Sequence, residues 1–307
     1  MGKALDVPAS RRVVGHEVLR WALNGAEGGS RTVLASVLSK TGSVPGKPGA
    51  RLALQCIDGD EVWRGTVGGA GLEERVKAVM RDLLAGPHRQ HGQVLTYGLT
   101  SGAKGFEVQP LDSLCGGRVT VTVEVLEPTP HLLLMGGGHC AVALAELSHH
   151  LGWRTSVQDS RQGFVAPEHH PHAIERHVGS VEEFLGRETA ASLARFSDIL
   201  LLGHDHAEDR ARLHGLLKTM VEANRRPGEN GAPRIGCIGS RSKWNSFREG
   251  AIEAGLPADA VDSVACPIGL NIGAETPQEI AVAVAAAIIA ATSGTVAGSP
   301  TWRDLAS

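Results

Sequence analysis

The sequence has few aromatic residues, no excess of basic charge and no long apolar run. Five Phe, five Trp and one Tyr among 307 residues leave little ring surface for stacking. The 30 Lys and Arg against 33 Asp and Glu give a net charge of -3, the wrong sign for binding nucleic-acid phosphates. The most apolar run, residues 280–291, is 12 residues long, whereas a membrane span needs about 20. We therefore expect neither a nucleic acid nor a membrane as partner.

The five cysteines form neither a metal-binding nor a disulfide pattern. No two of them make a CxxC pair and their number is odd, which favours a reducing compartment and argues against a structural zinc site. Any thiol chemistry is thus predicted to involve single cysteines, at Cys56, Cys115, Cys140, Cys237 or Cys266. No apolar stretch follows the charged start of the chain, so we predict no secretory signal and a cytoplasmic location.

A first region, over residues 1–127, has the patterns of an α+β domain. The length of 307 residues favours two domains of about 150 residues each. Valines at positions 119, 121, 123 and 125 alternate with polar residues, as in a half-buried strand. Three more strands and one helix are predicted, at residues 31–38, 51–57, 61–67 and 72–84. The stiff segment from Glu127 to Pro130 marks the predicted boundary.

The second region, over residues 128–307, alternates apolar strands with helical stretches, which is typical of a parallel sheet covered on both faces. Near its end, Thr276, Pro277 and Glu279 form a capping-box pattern, and Gly294 predicts where that helix stops. The predicted fold class is α/β. An N-terminal α+β domain is followed by a Rossmann-like domain with a mainly parallel sheet.

Gly136, Gly138 and Ala141 match the pattern GxGxxA between a predicted strand and a predicted helix, and Asp159 follows the next strand. Glycine permits a tight turn and close approach of the backbone, and a helix N-terminus offers free amides to a phosphate. His139 lies inside the turn, where it could reach a ligand or cap the helix. The alternative is a tight turn in a fold that binds no nucleotide.

A second glycine-rich loop precedes the predicted helix of the first region. Its consecutive amides could form an anion-binding concavity, with positive charge added by Lys47 and Arg51. The candidate residues are Gly68, Gly69, Ala70, Gly71 and Glu73. Cys115 stands before two glycines and close to Arg118, which could favour its thiolate, although an inert buried cysteine is the default interpretation.

Two more groups follow strands of the second region. His204, Asp205 and His206, with Asp209 one helical turn on, could bind a metal or relay a proton, or could cap the next helix. Ser240 and Arg241, with Lys243, begin a helix suited to an anion. Residues 160–180 are rich in His and Pro and are typical of a binding loop or cover, and we interpret residues 169–172 as a solvated loop.

Several of these segments, in the same order, resemble the xanthine dehydrogenase accessory factors, the XdhC/CoxI family. The similar segments are residues 42–54, 65–73, 111–124, 132–147, 153–161, 203–209, 234–243 and 265–288. The resemblance is closer to the XdhC branch, because CoxI proteins typically have a cysteine within the loop at residues 68–71. Members usually read Thr-His-Asp-His where this chain has Gly203 before His204.

The resemblance implies a chaperone of the molybdenum cofactor rather than an enzyme with its own turnover. Such a protein binds molybdopterin, protects it, supports its sulfuration by a cysteine desulfurase and inserts it into the apo form of a molybdenum hydroxylase. A homodimer is left open. Cys115 is the predicted contact to molybdenum. The predicted cofactor-binding residues are Gly68, Gly69, Ala70, Gly71, Glu73, Cys115, Gly136, Gly138, His139, Asp159, His204, Asp205, His206, Ser240 and Arg241.

Two enzymatic alternatives remain at this point. An NAD(P)-dependent oxidoreductase would use the glycine turn, with Asp159 on a ribose hydroxyl or Arg161 on a 2′-phosphate. A metal-dependent hydrolase would be centred on His204, Asp205 and His206. The only tyrosine, Tyr97, stands in no Tyr and Lys pair of the kind that supports hydride transfer.

Overall fold

The computed structural model describes residues 15–44, 46–57, 59–86, 91–98, 108–110, 117–229 and 231–294. The chain divides into two compact units, Met1–Pro128 and Thr129–Ser307. Each unit has its own sheet and its own hydrophobic core. None of the helices within the described ranges combines the length and the apolar character that crossing a bilayer requires.

The first unit is a six-stranded, mostly antiparallel sheet between two helices. Its strands are β1 (Thr32–Gly42), β2 (Arg51–Ile57), β3 (Asp60–Gly65), β4 (Gly92–Gly98), β5 (Val108–Pro110) and β6 (Gly117–Leu126), in the order β3-β2-β1-β6-β4-β5. Only β4 and β5 pair in parallel among the described strands of this sheet. The helices are α1 (Gly15–Glu27) and α2 (Ala70–Ala85).

Alternation along the strands decides which helix each side chain meets. Val33 and Ala35 of β1 pack into the core with α2, whereas Leu34 packs with Val18 and Ala22 of α1. The predicted alternation in β6 is confirmed by the full burial of its valines at positions 119, 121 and 123. The sheet is therefore covered on both faces by apolar contacts of period two.

The second unit has a five-stranded sheet in which every pair is parallel. Its strands are β7 (His131–Met135), β8 (Arg154–Asp159), β9 (Glu175–Val178), β10 (Asp198–Leu201) and β11 (Arg234–Cys237), in the order β11-β10-β7-β8-β9. The helices are α3 (His139–His150), α4 (Val181–Leu185), α5 (Ala190–Leu193), α6 (His206–Glu222), α7 (Arg241–Glu253), α8 (Ala258–Asp262) and α9 (Pro277–Ser293), and a 3-10 turn covers Gln162–Val165.

Apolar residues on both faces bury this sheet, as the sequence predicts. Leu132 and Leu134 pack with α3 and α9, while Leu133 and Met135 pack with α6 and α7. The predicted start and stop of α9 are confirmed. A capping box links Thr276 and Glu279, and Gly294 ends the helix with φ of 64°.

Candidate functional site at the carboxyl edge of the parallel sheet

The strand order of the second unit places its predicted site residues along one edge. The chain runs from β7 outward through β8 and β9, and then returns to β10 and β11 on the other side of β7. The loops after β7 and β10 therefore diverge at a topological switch point, where α/β proteins bind ligands. They also touch, because a Cβ on Gly136 would lie 2.8 Å from Gly203 N. Both loops contain residues that the sequence patterns predict as candidates for ligand binding.

The glycine turn after β7 is crowded below and open at its tip. Gly136 has φ of 106°, a conformation that favours glycine. A Cβ on Gly137 would lie 1.9 Å from Phe164 O, so a side chain has no room there. A Cβ on Gly138 would meet no atom within 4 Å. Gly138 is the N-cap residue of α3 and has no side chain to cap it, so the helix offers first-turn amides toward open space.

Asp159, the predicted acidic residue after β8, is fully buried and has several partners. Its Oδ2 accepts from Gly137 N at 2.9 Å, and its two oxygens accept from Nε and NH2 of Arg161, each at 2.9 Å. Burial opposes its ionisation, but hydrogen bonds from Arg161 and Gly137 outweigh burial and lower its pKa. The carboxylate thus fixes the shape of the glycine turn from beneath.

The segment rich in His and Pro after β8 packs against the same turn. His170 is buried, and its Nε2 lies 3.2 Å from Gly137 O. The prediction of a solvated loop is therefore wrong for His170, although His169 and His172 are exposed. Burial lowers the pKa of His170. A cavity of about 260 Å³ lies along the side of α3, lined by Val142, Ala145, Glu146, Glu168, His169, His170, Pro171 and His172.

The loop after β10 carries the two predicted imidazoles and a predicted carboxylate. Asp205 is the N-cap of α6 and accepts from Ala207 N at 2.8 Å and Glu208 N at 2.9 Å. The hydrogen bond from Glu208 N has the larger effect and that from Ala207 N the next, and both lower the pKa of Asp205. His204 is exposed, and the exposed His206 lies edge-on to the Phe247 ring at 4.6 Å between centroids. The capping alternative fits Asp205.

Asp209 belongs to a buried ion-pair network under this loop. Its Oδ1 accepts from Arg212 NH1 at 2.9 Å, and its Oδ2 accepts from Lys243 Nζ at 2.8 Å. Both Asp209 and Arg212 are fully buried. Because a Cβ on Gly203 would lie 2.2 Å from Asp209 Oδ1, this network explains the glycine at position 203. The spacing of Asp209 and Arg212 on one helix was the signal that sequence analysis missed.

The start of α7 differs in part from its prediction. Ser240 is the N-cap and accepts from Lys243 N at 3.3 Å, while Arg241 is exposed. The Lys243 ammonium turns away from the helix start and donates to Ile238 O at 3.1 Å as well as to Asp209. Arg241 therefore stays a candidate for an anion, whereas Lys243 neutralises a buried carboxylate.

Two cysteines come together at the same edge, which sequence analysis did not foresee. Cys237 ends β11, and Cys266 follows Ala265, which bridges to Gly236 in parallel. The parallel bridge puts Cys237 and Cys266 in register, so their side chains lie on the same face of the two adjacent segments. Sequence patterns predicted thiol chemistry at single cysteines, whereas the structure brings these two together. No local spacing could reveal it, because the contact joins a strand end to a distant loop.

The glycine loop of the first unit is closed by its own side chains. Thr66 Oγ1 accepts from Gly68 N at 3.0 Å and donates to Glu73 Oε2, and Glu73 pairs with Lys77 Nζ at 3.2 Å. Gly68 and Gly69 have φ of 86° and 77°. The Glu73 carboxylate thus puts negative charge beside the loop that was predicted to bind an anion. Ala70 and Gly71 of this loop are exposed.

Cys115 lies outside the described residues, so its predicted contact with molybdenum stays a prediction. Within the described ranges, no group of three or more His, Cys, Asp and Glu side chains is arranged to hold a metal ion. His204, Asp205 and His206 accordingly form no such group. The edge of the second unit instead offers the uncapped amides of α3, and its carboxylates Asp159, Asp205 and Asp209 are each bound by hydrogen-bond donors.

Comparisons with known proteins agree with the two-part organisation of the chain. Residues 132–288 match the family model described as the XdhC Rossmann domain, and residues 26–98 match that of the XdhC and CoxI family. A crystal structure of a xanthine dehydrogenase from Bacillus halodurans is 18% identical, with a TM-score of 0.45, over 94% of this chain and 98% of that chain.

Two relatives are longer than the segment they share with this chain. The uncharacterized protein YqeB of Escherichia coli strain K12 is 29% identical over 260 residues, which are 83% of this chain and 42% of YqeB. A protein of Bacillus subtilis strain 168, named as a probable subunit of xanthine dehydrogenase, is 27% identical over 167 residues, 54% of this chain and 44% of that protein. This chain thus matches less than half of each relative. Because the XdhC Rossmann model covers just over half of its residues, the chain belongs to the XdhC and CoxI family.

Proposed function

We propose that the chain binds the molybdenum cofactor and handles it for a molybdenum hydroxylase of the xanthine dehydrogenase type. In this role it protects molybdopterin, supports its sulfuration by a cysteine desulfurase and delivers it to the apo-hydroxylase. Family membership and the xanthine dehydrogenase name of the Bacillus subtilis relative support the proposal. The cofactor is cargo, and the chain needs no turnover reaction of its own.

The observation that carries the proposal is the open tip of the glycine turn. Molybdopterin has a phosphate, and the uncapped amides that begin α3 suit such an anion because the helix dipole favours negative charge there. Gly138 leaves space for the phosphate to approach the backbone. The exposed His139, His204 and Arg241 are donors at the same edge of the sheet. The acidic Asp205 is bound to the first amides of α6.

The dinucleotide alternative is weaker because of Asp159. A ribose hydroxyl would need a free carboxylate oxygen in this position. Both oxygens of Asp159 instead accept from Arg161, and one of them also from Gly137. Arg161 in turn stacks on Phe164, with its guanidinium carbon 3.6 Å from the ring centroid. The pair is thus built as a support for the turn.

The test is recovery of the pterin from the full chain. Protein from cells that overproduce the cofactor should yield the fluorescent oxidised pterin after treatment with acid and iodine. The proposal fails if no pterin is recovered, or if the purified chain binds NAD(P) tightly and reduces a substrate instead. Cofactor transfer is then measured as activity gained by an apo-hydroxylase mixed with the loaded chain.

Cys115→Ser tests the predicted contact to molybdenum separately. We expect this variant to retain less cofactor or to accept less sulfur, while its thermal unfolding stays unchanged because serine nearly preserves the side-chain volume. Normal maturation of the hydroxylase by Cys115→Ser would assign Cys115 a structural role. The phosphate contact at α3 is tested separately, by pterin recovery.

A further inference from the structure

Cys237 and Cys266 lie side by side on two adjacent parallel segments. Ala265 pairs with Gly236 in a parallel bridge, and Cys237 N donates to Ala265 O at 2.9 Å. Cys266 is therefore the register neighbour of Cys237. Neighbouring strands lie about 4.8 Å apart, which falls within the Cα separation of about 4.4–6.8 Å that a disulfide requires. The spacing of the two backbones therefore suits a bond between the two sulfurs.

The two thiols differ in exposure and in charge environment. Cys237 is fully buried and its thiol donates to Ile238 O at 3.4 Å, while the neighbouring Cys266 and burial raise its pKa. Cys266 is half-buried, and the neighbouring Cys237 thiol and the Lys243 charge lower its pKa against the effect of burial. Gly239 makes room for this arrangement, because a Cβ there would lie 2.9 Å from Lys243 Cδ and 3.5 Å from Cys266 Sγ.

This asymmetry is typical of dithiols that exchange with disulfides. In such dithiols the accessible thiolate attacks the disulfide, and the buried thiol then resolves the mixed disulfide. The other two described cysteines lack a thiol partner. Burial raises the pKa of Cys140, which leaves less of it as the reactive thiolate at neutral pH, and Cys56 is exposed on the sheet of the first unit.

We propose that Cys237 and Cys266 form a redox-active dithiol, in which Cys266 attacks a disulfide of the glutathione type and Cys237 resolves the product. The site is separate from the glycine turn, and the proposal does not depend on binding of the molybdenum cofactor. It assigns to the C-terminal part of the Rossmann unit a two-electron exchange reaction with a small disulfide.

The reaction balances without a further reagent. The Cys266 thiolate attacks one sulfur of the disulfide, forms a mixed disulfide and expels one thiolate. Cys237 then loses its proton to that thiolate and attacks the Cys266 sulfur, which expels the second thiolate. The second thiolate takes up the proton that Cys266 released to water when it ionised, so the two cysteines are oxidised by two electrons and the disulfide substrate is reduced to two thiols.

The experiment treats the reduced full chain with glutathione disulfide, blocks free thiols and maps the peptides by mass spectrometry. The wild-type chain should form a link between the peptides of Cys237 and Cys266. Cys237→Ala should instead hold glutathione on Cys266, because no resolving thiol remains, and Cys266→Ser should show neither product. The matched control Cys140→Ser should behave as the wild type does.

A second measurement follows the alkylation rate of each cysteine at pH 7. Cys266 should react about tenfold faster than Cys140, because the thiolate is the reactive form. The proposal is overturned if the wild-type chain forms no link at Cys237 and Cys266, or if Cys266 reacts no faster than Cys140. Should Cys237→Ala unfold, as circular dichroism would reveal, the wild-type map and the two rates decide the question alone.

Discussion

The two glycine turns of this chain look alike in sequence and differ in what fills them. Residues 65–71 and residues 136–138 each join a strand to a helix, and positive φ occurs at Gly65, Gly68 and Gly69 in the first and at Gly136 in the second. In the glycine turn at residues 65–71, the helix that follows begins with the carboxylate of Glu73, which is bound to Thr66 and Lys77. The second has no acidic residue in the first turn of α3.

The difference teaches that glycine spacing locates a turn, while the nearest carboxylate decides whether the turn can take an anion. The Glu73 carboxylate lies in the first turn of α2 and is paired with Thr66 and Lys77, so this glycine turn already has a negative charge beside it. Asp159 approaches the second turn from beneath and is neutralised by Arg161. The amides that begin α3 therefore keep their attraction for negative charge.

The largest expected effect comes from Gly137→Ala. Its Cβ would lie 1.9 Å from the backbone oxygen of Phe164, so the backbone must shift. We expect the free energy of unfolding to fall by about 3 kcal/mol, measured by urea denaturation. The matched variant Gly138→Ala meets no atom within 4 Å and should cost only about 0.5 kcal/mol. Equal losses in the two variants would contradict the crowded base and open tip of the turn.

Asp159→Asn should come next, because it removes a buried charge with several donors. We expect a loss of about 2 kcal/mol at pH 7, moderated by the partial exposure of Arg161. The matched variant in the first turn, Glu73→Gln, should cost well under about 1 kcal/mol, since its ion pair is partly solvated. Similar losses in both would remove the distinction between the two turns.

The same aspartate predicts a dependence on pH. Its folded pKa is lowered, so its contribution is present above the ordinary pKa and is lost as pH falls through the folded value. The difference in stability between wild type and Asp159→Asn should therefore shrink below about pH 4. Urea titrations at a series of pH values measure it, and a difference that stays constant down to about pH 2 would argue against the depressed pKa.

Gly138→Asp would make the second turn resemble the first. An aspartate at the N-cap should stabilise α3 by about 0.5 kcal/mol while it repels the phosphate. We expect pterin retention to fall about tenfold. Gly138→Ser is the matched control, because serine caps the helix without charge and should retain more pterin than aspartate does. Equal retention in the two variants would show that the anion does not bind at this turn.

The smallest effect is expected from Thr66→Val. The change removes the hydroxyl that accepts from Gly68 N and donates to Glu73. A loss of about 0.5–1 kcal/mol in the free energy of unfolding should follow, since each bond is solvent-exposed. Pterin retention should not change, and a clear loss of pterin would return the first turn to the candidate site.

Sequence patterns predicted the features that depend on neighbours along the chain. The alternation of β6 follows from a period of two residues and the capping box at Thr276 from local hydrogen bonds, while the parallel sheet of the second unit follows from the alternation of strands and helices along the chain. The glycine turn before α3 was predicted for the same reason, since strand, glycines and helix are contiguous. These features need no knowledge of how distant segments pack.

Contacts between distant segments could not be predicted in this way. The pairing of Cys237 with Cys266 depends on a loop that returns to the edge of β11. The burial of His170 depends on a turn that lies 33 residues earlier. Lys243 was predicted to lie at a helix start suited to an anion, but its ammonium donates to the buried carboxylate of Asp209. In each case a side chain meets a partner that only tertiary packing supplies.

The packing of α3 against α9 has a consequence for synthesis of the protein. Leu144 and Ala145 of the first helix of the Rossmann unit share a core with Val284 and Ile288 of its last helix. A nascent chain therefore exposes the apolar side of α3 until α9 has left the ribosome. The helix that follows the glycine turn is thus translated early in its unit but packs fully only after α9 has been made. A ribosome stalled before residue 277 would leave this apolar surface exposed to chaperones.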